Sequence, residues 1–229
     1  MTNGPRATLD RKMQERLDSI LVLGSMVEQA ITGSVRALKD RDLNAAQEIY
    51  DNDRAINNKR YEIEEQTLSI VATQQPMARD LRILSSVLDI AGELERMGDY
   101  AKGIARITIR LGKEAPLKAL HRIPKMADLT ADMLHRAVGS FVELDEETAR
   151  AIPDEDDKVD ELYNALYREI LDIMFEDRST VDRATFHLWV SHNLERAADR
   201  VTNICERTVF TVTGNHIEFD RSDDESGEF

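Results

Sequence analysis

At 229 residues, with 41% hydrophobic and 32% charged, the chain can bury a sizeable core as one large domain or two small ones. Ten glycines, five prolines and 5% aromatics, in a chain rich in Leu, Ile, Ala, Glu, Arg and Asp, favour helices over sheets. A net charge of −14 excludes bulk attraction to nucleic acid or anionic lipid and leaves cations or a basic partner as ligands for acidic clusters.

Six helical stretches follow from apolar periodicity and punctuation. The first runs from about Leu9 to Lys39, with Leu17, Ile20, Leu21, Leu23, Val27, Ile31, Val35 and Leu38 in three- and four-residue steps. The segment "DRD" (40–42) interrupts it. The second runs from about Leu43 to Ala72 and ends at "TQQP", because Pro76 biases the residue before it away from helix. The third spans about Met77 to Leu111 and closes on "GKEAP" (112–116). The fourth is expected from Leu117 to Val142. The fifth runs from Glu146 to Phe175, with a kink or a fresh start at Pro153. The sixth is expected from Thr180 to Val212, followed by an acidic tail, "DRSDDESGEF", whose composition predicts disorder.

The second set of three repeats the first. Asp51, Asp53 and Ile56 fall on Asp154, Asp156 and Val159 at an offset of 103, as do Val35 on Val138 and Leu38 on Phe141. In the third helix "LERMGD" falls on "LERAAD" at an offset of 100, so the turn before it is expected to be three residues shorter in the second half, "TQQPM" against "EDRST". A period this long is not that of a solenoid; it fits two copies of a three-helix unit whose short connections make neighbours antiparallel. The expected fold class is all-α, with two tandem three-helix bundles over residues 9–113 and 114–217 and a tail at 218–229.

The third helix of each half carries a seam of mostly small and apolar residues: Leu84, Val87, Ala91, Leu94, Gly98, Ala101 and Ala105, then Ala184, His187, Ser191, Leu194, Ala198, Val201 and Cys205. Beside each seam stands an acidic pair, Glu95 with Asp99 and Glu195 with Asp199, four residues and about 40° apart on the helix. Asn203 and Glu206 extend the second pair into a row of oxygen ligands within roughly 80°. Like charges at this spacing repel unless a cation lies between them. Oxygen ligands suit Mg²⁺, Ca²⁺, Mn²⁺ or iron in a carboxylate-rich cluster. The second helices offer matching groups, Asp53 with Asn57 and Asp156 with Asp160, which a helix lying alongside would deliver to the same place. The plainer alternative stays open: these acids form a solvated face in an acid-rich chain, partly neutralised by Arg96, Arg196 and Arg200. His192, just before the second pair, is a further candidate ligand.

Catalytic signatures are missing. There is no Glu-x-x-His pair for a di-iron site, no Gly-rich phosphate loop, no zinc motif and no serine-centred elbow. The one cysteine, Cys205, cannot close an internal disulfide, which suits a reducing compartment. The polar start "MTNGPRATLDRK" lacks a signal-peptide pattern, and no apolar run approaches the ~18 residues of a membrane span. The expectation is a cytoplasmic protein that reaches a membrane only through partners.

The stretches "QQPMARDLRILSSVLDIAGELERMGDYAKGIA" (74–105) and "HNLERAADRVTNICERTVFTVTGNHI" (192–217) resemble the signature helices of the PhoU family. The duplication and the length agree, and the resemblance covers Leu9 to Ile217. It implies two similar three-helix bundles, often dimerising, and a cytoplasmic regulator rather than an enzyme. Such a protein would link the phosphate ABC transporter, through its ATPase, to the phosphate-sensing histidine kinase, and hold the starvation response off when phosphate is plentiful. It also implies metal clusters (iron, zinc, magnesium or manganese are candidates) on Glu95, Asp99, Glu195 and Asp199, with Asn203, Glu206, Asp53, Asp156 and Asp160 following. Two departures weaken the first site: Gly103 and Arg106 stand where the second half has Asn203 and Glu206, and Lys102 brings a cation into the stripe. The competing reading is a metal-binding helical protein without a signalling partner.

Overall fold

A computed structural model describes residues 5–114, 117 and 121–219. Its α-helices are α1 (Pro5–Asp40), α2 (Leu43–Gln74), α3 (Arg79–Leu111), α4 (Arg122–Glu143), α5 (Glu146–Ala151), α6 (Asp156–Glu176) and α7 (Val181–Thr213). Short 3-10 turns at Pro153–Glu155 and Arg178–Thr180 complete the described residues, which contain no strand.

The duplication extends to the hydrogen bonds that end the helices. After α1, Arg41 takes a left-handed φ of 56° and the amide of Asp42 reaches back to the Ala37 carbonyl at 2.9 Å. After α4, Leu144 takes φ 56° and the Asp145 amide reaches the Ser140 carbonyl at 2.8 Å. Asp42 then caps α2, accepting from the amides of Asn44 and Ala45, and Asp145 caps α5, accepting from Thr148.

Several boundaries differ from the expected ones, each for a local reason. The first helix begins at Pro5 rather than Leu9; proline is at home in a first turn, and Arg6 on that turn bridges to Asp80 of α3 at 2.6 Å. The fourth begins at Arg122 rather than Leu117, because Pro124 is tolerated only within a first turn. The expected fifth helix is two: Pro153 opens a 3-10 turn, and α6 starts afresh at Asp156. The connection before the third helix is four residues long in both halves (75–78 and 177–180), so the three-residue deficit is taken from the helix ends instead. The tail from residue 220 onward lies outside the described residues.

Helices α1, α2 and α3 pack on one another, and α4 and α7 pack on each other and on both α5 and α6. The two units are joined along α3 against α7 and α1 against α4, and one continuous apolar core runs through both. Every seam residue read from the sequence is buried, His187 and Cys205 included. The His187 ring donates from Nδ1 to the Arg183 carbonyl at 2.6 Å, and burial holds its pKa below the usual value. Burial likewise pushes the Cys205 thiol up to about 12, leaving it a small core residue rather than a reactive one.

The α1–α4 crossing depends on a glycine. A Cβ on Gly24 would stand 3.1 and 3.2 Å from the two γ-methyls of Val138. Gly24→Leu is expected to prise the two units apart and destabilise the protein by about 1–3 kcal/mol, read as a lowered midpoint in urea unfolding.

Candidate functional site

The acidic groups gather where the second and third helices of each unit lie side by side. In the first unit α2 delivers Asp53, buried at 4% exposure, to the flank of α3 that carries Glu95 and Asp99. One carboxylate oxygen of Asp53 accepts from Asn57 Nδ2 at 3.0 Å and from Lys102 Nζ at 2.6 Å. Its other oxygen is buried without a hydrogen-bond partner. Lys102 also lies 3.8 Å from Asp99 and faces the ring of Tyr50. Burial first, then Asp99 and Asp53, raise the Glu95 pKa; burial and Asp53 raise that of Asp99, which Lys102 opposes.

In the second unit α6 delivers Asp156 and Asp160 to the flank of α7 that carries Glu195 and Asp199. The Glu195 carboxyl is pushed up to about 7, by burial first and then by Asp199, Asp160 and Asp156, with Arg196 opposing. Glu195 Oε2 is buried and lies 3.4 Å from His192 Nδ1, yet makes no hydrogen bond. Tyr163 of α6 stands near enough to feel the same carboxyl, its phenol raised by burial and by the Glu195 charge. The His192 ring lies 6.4 Å from that of Tyr163, and burial lowers its pKa.

The two sites differ at one decisive position. An offset of 100 places Thr202 where the first unit has Lys102. The first cluster therefore contains an ammonium on its buried aspartate, while in the second Asp199, Asp160 and Asp156 raise the Glu195 carboxyl and Arg196, 3.8 Å from Asp199, opposes them.

Asn203 and Glu206, farther along α7, each meet a partner outside this cluster. Asn203 Nδ2 donates to Glu93 of α3 at 3.1 Å, and Glu206 accepts from the Phe219 amide at 3.1 Å. They line a second groove with Asp89, Glu93 and Arg207. A row eleven residues long extends about 16 Å, far enough for its two ends to meet different neighbours. Glu93 and Arg207 are the participants that the sequence did not single out; no periodicity marks them, because their role depends on α3 meeting α7.

Among the described residues no group of three or more His, Cys, Asp or Glu is drawn close enough to hold a metal ion as it stands. The fit is one of donor chemistry. Around Glu195 a buried, unbonded carboxylate oxygen faces like charges that a hard cation would relieve. Around Asp53 the ammonium of Lys102 already provides that relief.

The comparisons with known proteins bear on both units. The PhoU domain matches residues 20–108 and again 123–208. The chain belongs to the PhoU family. The phosphate-specific transport system accessory protein PhoU homolog of Clostridium acetobutylicum is 35% identical over 93% of this chain and 98% of its own length. The PhoU homolog of Rhizobium meliloti is 31% identical over 96% and 93%. Among solved structures, the phosphate transport system regulatory protein PhoU of Streptococcus pneumoniae superposes with a TM-score of 0.86 at 30% identity, over 92% of this chain and all of that one. PhoU of Pseudomonas aeruginosa gives 0.85 at 30%, over 90% and 99%. The all-α fold with a duplicated unit is thus that of crystallised PhoU proteins.

The Glu195 shift has a definite sign. A carboxyl at about 7 in the folded chain, against 4.5 for an ordinary Glu, binds its proton more tightly when folded. In chelator-treated protein the stability it contributes is therefore full below about pH 4.5 and lost as pH rises through 7. Glu195→Gln should leave the Tm nearly unchanged at pH 5 and raise stability at pH 8 by on the order of 1–3 kcal/mol, a pH-dependent gap that melting curves would show.

Proposed function

We propose that this chain is an accessory protein of phosphate transport that acts as a negative regulator of phosphate uptake and of the phosphate-starvation response. In this reading it is a cytoplasmic adaptor between the ATPase of the phosphate ABC transporter and the phosphate-sensing histidine kinase. The observation that carries this reading is the family match across both units, with relatives named for the phosphate-specific transport system aligned over nearly the whole chain. No described helix is long and apolar enough to cross a membrane, and in this reading contact with the transporter is made by docking.

The test is genetic. Deleting the gene in its host should switch on a starvation reporter such as alkaline phosphatase in excess phosphate, and the wild-type gene should restore repression. A silent reporter in a strain without a second copy of the family would overturn the reading.

The acidic clusters are part of the same proposal. Asp156, Asp160, Glu195 and Asp199 would hold a divalent or transition metal ion, whose charge would cancel their repulsion and pin α6 to α7. His192 stands close enough to contribute. The first cluster, filled by Lys102, would hold an ion more weakly. Equilibrium dialysis with Mn²⁺ or Zn²⁺ should find binding that Glu195→Ala with Asp199→Ala removes. Lys102→Thr, which copies the second unit into the first, should add a site. Equal binding by all three proteins would rule this arrangement out.

A further inference from the structure

The antiparallel pairing of α3 with α7 repeats itself at its two ends. At one end Glu93 faces Asn203; at the other the equivalent positions, at the offset of 100, bring Asn193 against Gly103, whose Cβ would lie 3.1 Å from Asn193 Nδ2. Each end forms a groove, of about 380 Å³ at the Glu93 end and about 310 Å³ at the Asn193 end. Two antiparallel helices related in this way present both grooves on one face, about 20 Å apart along the seam.

The chemistry of the two grooves is not the same. At the Glu93 end the arginines are all countered within the chain. Arg207 meets Asp89 at 3.4 Å, while Arg96 and Arg200 meet Glu93 at 3.2 and 3.4 Å. At the other end the same positions have lost their carboxylates. Asp89 becomes Trp189, Glu93 becomes Asn193, and Glu206 becomes Arg106. Arg110 lies over the ring of Phe186 at 4.9 Å, and neither Arg106 nor Arg110 makes an ion pair among the described residues. Trp189, the single tryptophan of the chain, stands 57% exposed beside them. An exposed indole next to two uncountered guanidiniums is the composition of a binding hot spot, and it stands out in a chain of net charge −14.

We propose that the groove between Arg106, Arg110 and Trp189 docks an acidic segment of a partner protein. The segment's carboxylates take the place of those the opposite groove supplies from within the chain, and an apolar side chain between them packs on Trp189. The inference deepens the adaptor reading and rests on it for the identity of the partner, but not for the chemistry of the site.

The lone tryptophan reports on this site directly. Titration with a capped peptide of Asp and Glu flanking one leucine and one phenylalanine, at low salt, should blue-shift and saturate the emission of Trp189. The same peptide with lysines in place of the acids should not. Arg106→Glu with Arg110→Glu should weaken the response about tenfold or more, whereas Asp89→Asn, in the opposite groove, should leave it unchanged. No response up to millimolar peptide, or an undiminished response in the double variant, would overturn the proposal. A second arm uses the purified transporter ATPase and the cytoplasmic part of the kinase. If either binds the wild-type protein and the folded double variant equally, the docking site is overturned. If neither binds, the adaptor reading fails and the peptide titration still decides the groove.

Discussion

Helices α3 and α7 occupy the same place in their respective units, and they meet each other antiparallel. On this one contact the rest of the molecule turns. It is made through a stripe of each helix distinct from the seam that faces its own bundle: Thr211 donates to Ser86 Oγ at 2.7 Å, Arg82 reaches the Thr211 carbonyl, and Asn203 meets Glu93. A third helix thus has three obligations at once. Its seam fills the core of its unit, one flank carries acids toward the second helix, and the other flank joins its counterpart. Small side chains are needed at several of these approaches, and Gly98, whose Cβ would lie 3.1 Å from Ile56, shows how closely the helices pack.

Much of this could be read from the sequence because helices of this length impose a regular spacing on their buried residues. The seams, the breaks at Asp42 and Asp145 and the repeat itself are local patterns, and the structure contains them. Proline was a weaker guide. It marks where a helix must already have begun rather than where the apolar pattern starts, which is why α4 begins at Arg122. The meeting of Asp53 with the flank of α3 followed from assuming short connections. Its capture by Lys102 is a matter of which way one long side chain reaches, and spacing alone does not fix that. The hydrogen bond of Asn203 to Glu93 depends on a contact between the two halves, which no periodicity within either half encodes, and that of the Phe219 amide to Glu206 depends on the course of the chain after α7.

Duplication gives the molecule its own control experiment. Positions that descend from one unit now do different work in the two, and the differences are concentrated in charge rather than in shape. Lys102 against Thr202 separates a cluster whose buried aspartate holds an ammonium from one in which neighbouring carboxylates raise Glu195. Asp89 and Glu93 against Trp189 and Asn193 separate a groove whose charges are balanced from one whose charges are not. The apolar frame holds both versions because these residues lie outside the continuous core.

That continuous core also governs the order in which the protein can acquire its structure. A ribosome releases α1, α2 and α3 first, yet the face of α1 that packs on α4 has no cover until about half of the chain has emerged, and the face of α3 that packs on α7 has none until roughly the last fifth. The first unit must wait with those surfaces in water or in the care of a chaperone. Its completion is then tied to the synthesis of α7, so a chain that stopped before that helix would present open helical faces rather than a finished half.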